Sequence, residues 1–175
     1  MNEKKMHERL KGVLTCGPAP WDQLPDLGLY MDQVITYVER QFTPMRPGRG
    51  DRLLTSAMIN NYVKAGLMPR PIGKKYERGH LAMLLMICTL KQSMSMDSIS
   101  HLLRTPEDSG EAGIRALYES FCASHGEMQR VIRENLSLAQ GQGGTGALRF
   151  ALAAAICCMA ADVTAQTDPE DAPAK

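Results

Sequence analysis

The sequence predicts an all-α protein, and three observations carry that prediction. Apolar residues recur at three- and four-residue spacing in most segments, the periodicity of a helix with one buried face. The 175 residues include 12 methionines and only 5% aromatics. Unbranched, polarisable Met side chains fill gaps between helices, so this composition suits a helix-packed core. Helix start and stop residues also fall where the stripes begin and end, as with Thr55 and Gly66. The length fits one ordinary domain, or a small domain with a helical appendage.

Residues 1–26 read as an arm of little regular structure, because Gly12, Gly17, Pro18, Pro20 and Pro25 interrupt it. Trp21, the single tryptophan, is expected to pin that arm to the body. Met31, Val34, Ile35, Val38 and Phe42 then form an amphipathic helical stripe that stops at Thr43-Pro44, before a basic, turn-rich loop over 43–52. Thr55 is a suitable N-cap, since its hydroxyl can accept from an amide of the first turn. The helix that follows runs from Ser56 to Ala65 and ends at Gly66, where a left-handed C-cap is easily adopted. Met58, Ile59, Tyr62, Val63 and Ala65 share one side of it. Ser56, Ala57, Asn60, Asn61 and Lys64 share the other, which carries no acid.

Residues 68–76 (MPRPIGKKY) read as a short loop or wing. A helix over about 77–92 is apolar from Leu81 to Leu90 except at Thr89, so it is expected to be covered on most sides. Ser95 caps a short helix whose Met96, Ile99, Leu102 and Leu103 are expected to face inward. Thr105-Pro106-Glu107-Asp108 looks like another helix start, with Pro in the first turn and acids at the positive end of the dipole. Its stripe is Ile114, Leu117, Tyr118, Phe121 and Cys122; Met128, Val131, Ile132 and Leu136 form the next. GQGGTG at 141–146 predicts a break, about 145–165 an Ala-rich helix, and 166–175 a disordered acidic tail.

Net charge is only +1, but it is unevenly distributed. From Arg46 to His80 eight bases stand against two acids, leaving +6, while 162–175 holds four acids and one Lys. Such clustering is the electrostatic footprint that phosphates require. Cys16, Cys88, Cys122, Cys157 and Cys158 are odd in number and form no CxxC, which points to a reducing compartment and to thiols serving as core residues. Cys157-Cys158 reads as packing rather than a metal or redox site, because neighbours on a helix point about 100° apart. Cys122 and His125 make a single pair, where structural zinc needs four ligands. The start, MNEKKMHERLKG, leads to no apolar run of a secretion signal, and 150–161 is too short to span a bilayer. A cytoplasmic protein with no membrane partner is expected.

The segment from Leu54 to Leu103 resembles the MerR-type regulators. In those proteins a recognition helix ends in Tyr-x-x-x-Gly-Leu, here Tyr62-Val63-Lys64-Ala65-Gly66-Leu67. A wing follows, here Arg70 to Lys75. A Tyr then opens a long helix, here Tyr76-Glu77-Arg78-Gly79-His80-Leu81, and Met94 to Ile99 starts a short one. Over roughly 27–110, through LTSAMINNYVKAGLMP and KKYERGHLAMLLMICTLKQ, the chain is more closely similar to the bacterial family called domain of unknown function 1836. The fold implied is a MerR-like winged helix-turn-helix over 27–106, with an appended C-terminal helical bundle over 107–165. The MerR pattern has Arg where this chain has Asn60, an aromatic where it has Asn61, and a longer wing. Those departures remove phosphate contacts but leave the fold expectation standing.

The function implied is sequence-specific binding of double-stranded DNA for transcription regulation. Ser56, Asn60, Asn61 and Lys64 are expected on the recognition helix, with Arg70, Lys74 and Lys75 on the wing. Asn can make two hydrogen bonds to adenine in the major groove, and basic loops flanking the helix suit phosphate anchoring. A homodimer is expected, since such proteins commonly pair to read two half-sites and the Ala-rich helix permits close approach. No effector can be named. The alternative is a helical protein-interaction module that keeps the fold without binding DNA. Catalysis is not expected: there is no P-loop, GxSxG, HExxH or GxGxxG. Neither metal nor cofactor is implied.

Overall fold

The computed structural model describes residues 12–46, 50–134 and 143–165. Its elements are α-helices with two short 3-10 turns, and no strand is formed among the described residues. In chain order the helices are α1 (Met31–Phe42), α2 (Ser56–Lys64), α3 (Arg78–Leu90), α4 (Met96–Leu102), α5 (Gly110–Glu134) and α6 (Gly143–Ala165). The 3-10 turns are Trp21–Gln23 and Glu107–Ser109.

Local chemistry accounts for the starts of the first four helices. The Tyr30 amide donates to Gln33 Oε1 at 2.9 Å and closes the entry to α1. The Thr55 hydroxyl accepts from the Met58 amide at 3.2 Å, and the Ser95 hydroxyl from the Ser98 amide at 3.1 Å. At α3 the donor is the Glu77 amide and the acceptor is the imidazole of His80, at 3.0 Å. Each bond satisfies an amide that the helix itself cannot.

α3 is the axis of the body. Its residues from Gly79 to Cys88 are all buried. Val34, Val38 and Phe42 of α1, Ile59 and Tyr62 of α2, and Ile114 and Tyr118 of α5 belong to the same core. Burial pushes the Cys88 thiol up to about 11, partly offset by the positive charges of Lys91 and Arg46. Cys88 therefore acts as a small apolar residue. Lys91, just past α3, reaches back and donates to the Leu53 carbonyl, tying the approach to α2 onto the end of α3.

The arm is pinned as the tryptophan suggested. Trp21 is buried and meets Tyr118 with ring centroids 6.1 Å apart. The Tyr118 hydroxyl donates to the Ala19 carbonyl at 2.7 Å. Arg78 and Arg115 flank the indole, each 5.9 Å from its centroid. Residues 12–15 form a helical turn within the arm.

Several expectations need correction. The segment at 107–109 is a 3-10 turn rather than the start of α5, which begins at Gly110 with a positive φ of 52°. Ile114 to Cys122 and Met128 to Ile132, expected as two stripes, lie on one continuous helix, which runs through Gly126. Met96 and Leu102 are exposed rather than inward; with only seven residues, α4 buries just Ser98 and Ile99. Met128, Val131 and Ile132 are also exposed; along this stretch α5 turns Gln129 and Arg133 to the arm instead, donating to the Val13, Cys16 and Leu14 carbonyls. Cys157 is exposed and Cys158 half-buried, so neither is a core residue. The tail at 166–175, residues 1–11 and Leu136 lie outside the described residues.

Two measurements check this packing. Tyr118→Phe removes the donor to Ala19 and should cost about 1 kcal/mol in urea unfolding. His125 sits half-buried beside Phe121, and burial lowers its pKa from the ordinary 6.5. The unfolded chain therefore takes up this proton first, so stability should fall as pH drops below about 6.5, the unfolded-state value. His125→Gln should flatten the slope between neutral pH and about pH 5.5.

Candidate functional site

The acid-free face of α2 stands beside a hairpin. α2 ends with Ala65 as C-cap, and Gly66 turns the chain at φ 72°. After Pro69, Arg70 and Pro71, the backbone of Ile72 pairs with Lys75 in both directions, at 3.2 and 2.9 Å. Gly73 and Lys74 at the tip have φ of 55° and 67°, the sign that a two-residue type I′ turn needs. Glycine adopts this without penalty; Lys74 adopts it at some steric cost.

Two contacts hold the hairpin to the body. Tyr76 and Leu29 exchange backbone hydrogen bonds of 2.8 and 2.9 Å, fastening the hairpin's end to the segment before α1. The second is His80. Its Nδ1 accepts from the Glu77 amide, so its Nε2 carries the proton and faces the Arg70 carbonyl at 3.3 Å. One imidazole thus caps α3 and holds the strap that carries Arg70. Tyr76 meets the same ring edge-on at 5.6 Å.

All seven residues singled out from the sequence are exposed. The structure gathers only some of them. Asn60, Lys64 and Arg70 line one groove of about 320 Å³, with Val63, Pro71 and Tyr76 completing its wall. Asn61 and Ser56 are on exposed parts of α2 outside this groove, and Lys74 is at the hairpin tip. Lys75 is not part of the groove wall; its ammonium is 5.8 Å from the Tyr30 ring centroid.

The basic window divides in the same way. Arg46 is paired with Asp51 at 2.7 Å, and Arg78 lies over Trp21 and 4.0 Å from Asp26. These two cations serve the fold. Among the described residues, Arg52, Lys64, Arg70, Lys74 and Lys75 form no ion pair. Arg49 lies outside the described residues. The positive charge left open is therefore concentrated on α2, the hairpin and the residue just before α2's approach.

His80, Leu29 and Tyr30 escaped the sequence reading. His80 had a legible signal, three residues after Glu77 at a helix start, where a side chain can reach back to the cap. The Leu29–Tyr76 bridge had none, because a single bridge leaves no alternating pattern.

A family model described as domain of unknown function (DUF1836) matches residues 19–121. That span runs from the Ala19 carbonyl that Tyr118 binds to the middle of α5, and it contains the α2–hairpin groove. No curated protein and no solved structure matches the chain.

The role of His80 is testable apart from any ligand. His80→Ala leaves the Glu77 amide and the Arg70 carbonyl without this partner. It should cost about 1–3 kcal/mol. Amide exchange at 72–76 should accelerate more than in α5 if the ring holds the hairpin; equal acceleration everywhere would give it a role in global stability alone.

Proposed function

This chain belongs to the DUF1836 family, and we propose that it acts as a sequence-specific regulator that binds double-stranded DNA through α2 and the hairpin. The reading is that of a MerR-like winged helix-turn-helix, with α2 as recognition helix and residues 70–75 as a short wing. The observation that carries it is the groove in which Asn60, Lys64 and Arg70 converge with no carboxylate on its wall. Two open cations on facing elements suit a phosphate bridging helix and hairpin, while Asn60 at their edge suits a base. Asn61, one position on along the exposed face, is the second candidate reader. Lys74 at the hairpin tip and Lys75 beside Tyr30 suit flanking phosphates.

No helix among the described residues is long and apolar enough to cross a membrane. The reading places the protein in the cytoplasm and assigns it neither a catalytic role nor a cofactor. A helical protein-interaction module is the second reading, favoured by the exposed apolar residues of α5 and α6.

Binding to labelled duplexes across a salt series separates the two. Affinity should fall with salt, with a log–log slope of about −0.9 per neutralised phosphate. Arg70→Ala and Lys64→Ala should each weaken all duplexes alike and reduce that slope by about one contact. Lys74→Asn should do the same, and Asn tolerates the positive φ better than Ala would. Asn60→Ala should instead cost about 1–3 kcal/mol of preference for a selected site over random duplex. Absence of binding at low salt, or a parent-like slope in all three cation variants, would leave the protein-interaction reading.

A further inference from the structure

α6 differs from the other helices among the described residues. From Leu148 to Thr164 none of its residues is buried, although the stretch holds one Arg and one Asp as its only charges. A helix that is apolar all round is normally covered on most sides. Here the contact made is with α4, and the half-buried positions Cys158, Ala161 and Asp162 mark the side turned toward neighbours.

Five of the six large apolar residues exposed on α6 share one side; Phe150, 38% exposed, is the exception. Leu148, Leu152, Ile156, Met159 and Val163 are 54–69% exposed. At 100° per residue they fall within one narrow stripe, with the small Ala155 at its edge. Of the half-buried positions, Cys158 and Ala161 point away from the stripe, and Asp162 borders it about 40° from Leu148. Spacing that mixes fours and a three is what a helix–helix seam uses.

The stripe also has an internal symmetry. Leu148 and Val163, Leu152 and Met159, and Ala155 and Ile156 are each equidistant from the midpoint between 155 and 156. Reversing the helix about that midpoint maps apolar onto apolar throughout, and brings the small residue opposite a β-branched one. A two-fold axis does this when two copies lie antiparallel, since an isologous interface pairs each residue with its reversed counterpart. We propose that the α6 stripe is the interface with a second copy of this chain, paired antiparallel about that midpoint.

The area agrees with a second copy. The five exposed side chains and the exposed alanines beside them offer roughly 700 Å², so two copies would bury about 1,400 Å², within the range of about 1,200–2,000 Å² for stable interfaces. A patch of that size on a monomer exceeds the few hundred Å² that soluble proteins usually leave open. The pairing is independent of whether α2 binds DNA.

Sedimentation of the full chain tests it. The parent should run at twice the 19.3 kDa chain mass at micromolar concentration. Leu152→Lys and Met159→Glu should each dissociate at least tenfold more readily, with helical content unchanged and with melting like the parent's only at dilutions where the parent is itself monomeric, because both side chains already face solvent within one copy. In the antiparallel register position 152 meets position 159 of the other copy. An equimolar mixture of the two variants should therefore recover the dimer, through Lys against Glu. A monomeric parent would overturn the proposal, as would a dimer indifferent to both substitutions. Single variants that dissociate without recovery on mixing would overturn the antiparallel register. Ile156→Glu, on the same stripe, repeats the dissociation test should either charge variant fail to fold.

Discussion

The structure depends on hiding α3. A helix with ten consecutive buried residues has no solvent face of its own, so cover must come from several directions. α1 supplies one wall through Val34, Val38 and Phe42, and α2 contributes Ile59 and Tyr62. The first turns of α5 supply Ile114 and Tyr118. The arm then closes over Tyr118 with Trp21 and the Ala19 carbonyl. Each covering element is amphipathic because only one of its faces has this task. The exposed face of α2, with Asn60 and Lys64, is thus presented outward as a consequence of burying Ile59 and Tyr62.

The same constraint rigidifies the hairpin. Its stem is too short for a ladder, so its position comes from the body: Leu29 pairs with Tyr76, and His80 at the start of α3 faces Arg70. Arg70 is thereby held beside Lys64 by the buried Tyr76 and His80 and the half-buried Leu29, not by the hairpin alone. A binding element placed this way loses little conformational freedom when it meets a ligand.

Helix positions were legible in the sequence wherever one face is buried and a cap is present. Thr55, Gly66 and Ser95 mark their boundaries within a residue, and the apolar run at 81–90 announced the buried helix. Periodicity misled where a neighbour covers a different face. Met96, Leu102, Met128 and Ile132 have core-like spacing yet are exposed, while Gln129 and Arg133 meet the arm. Pro106 and the following acids suggested a helix start, but Gly110 with positive φ sets the true one three residues on. Of the candidate site, residue type and exposure were legible. Which cations are consumed internally was not, because Arg46–Asp51 and Arg78–Trp21 are pairings that only the fold creates.

The cover on α3 has a consequence for the order in which the chain can fold. Ile114 and Tyr118 lie well downstream of the helix they cover, and Ala19 is 99 residues from the tyrosine that binds it. During synthesis at about 5–20 residues per second, the wall from α5 arrives seconds after α3 itself. Through that interval an almost uninterrupted apolar helix has one side bare, and the nascent chain is at its most adhesive. The arm, although made first, is among the last pieces to dock.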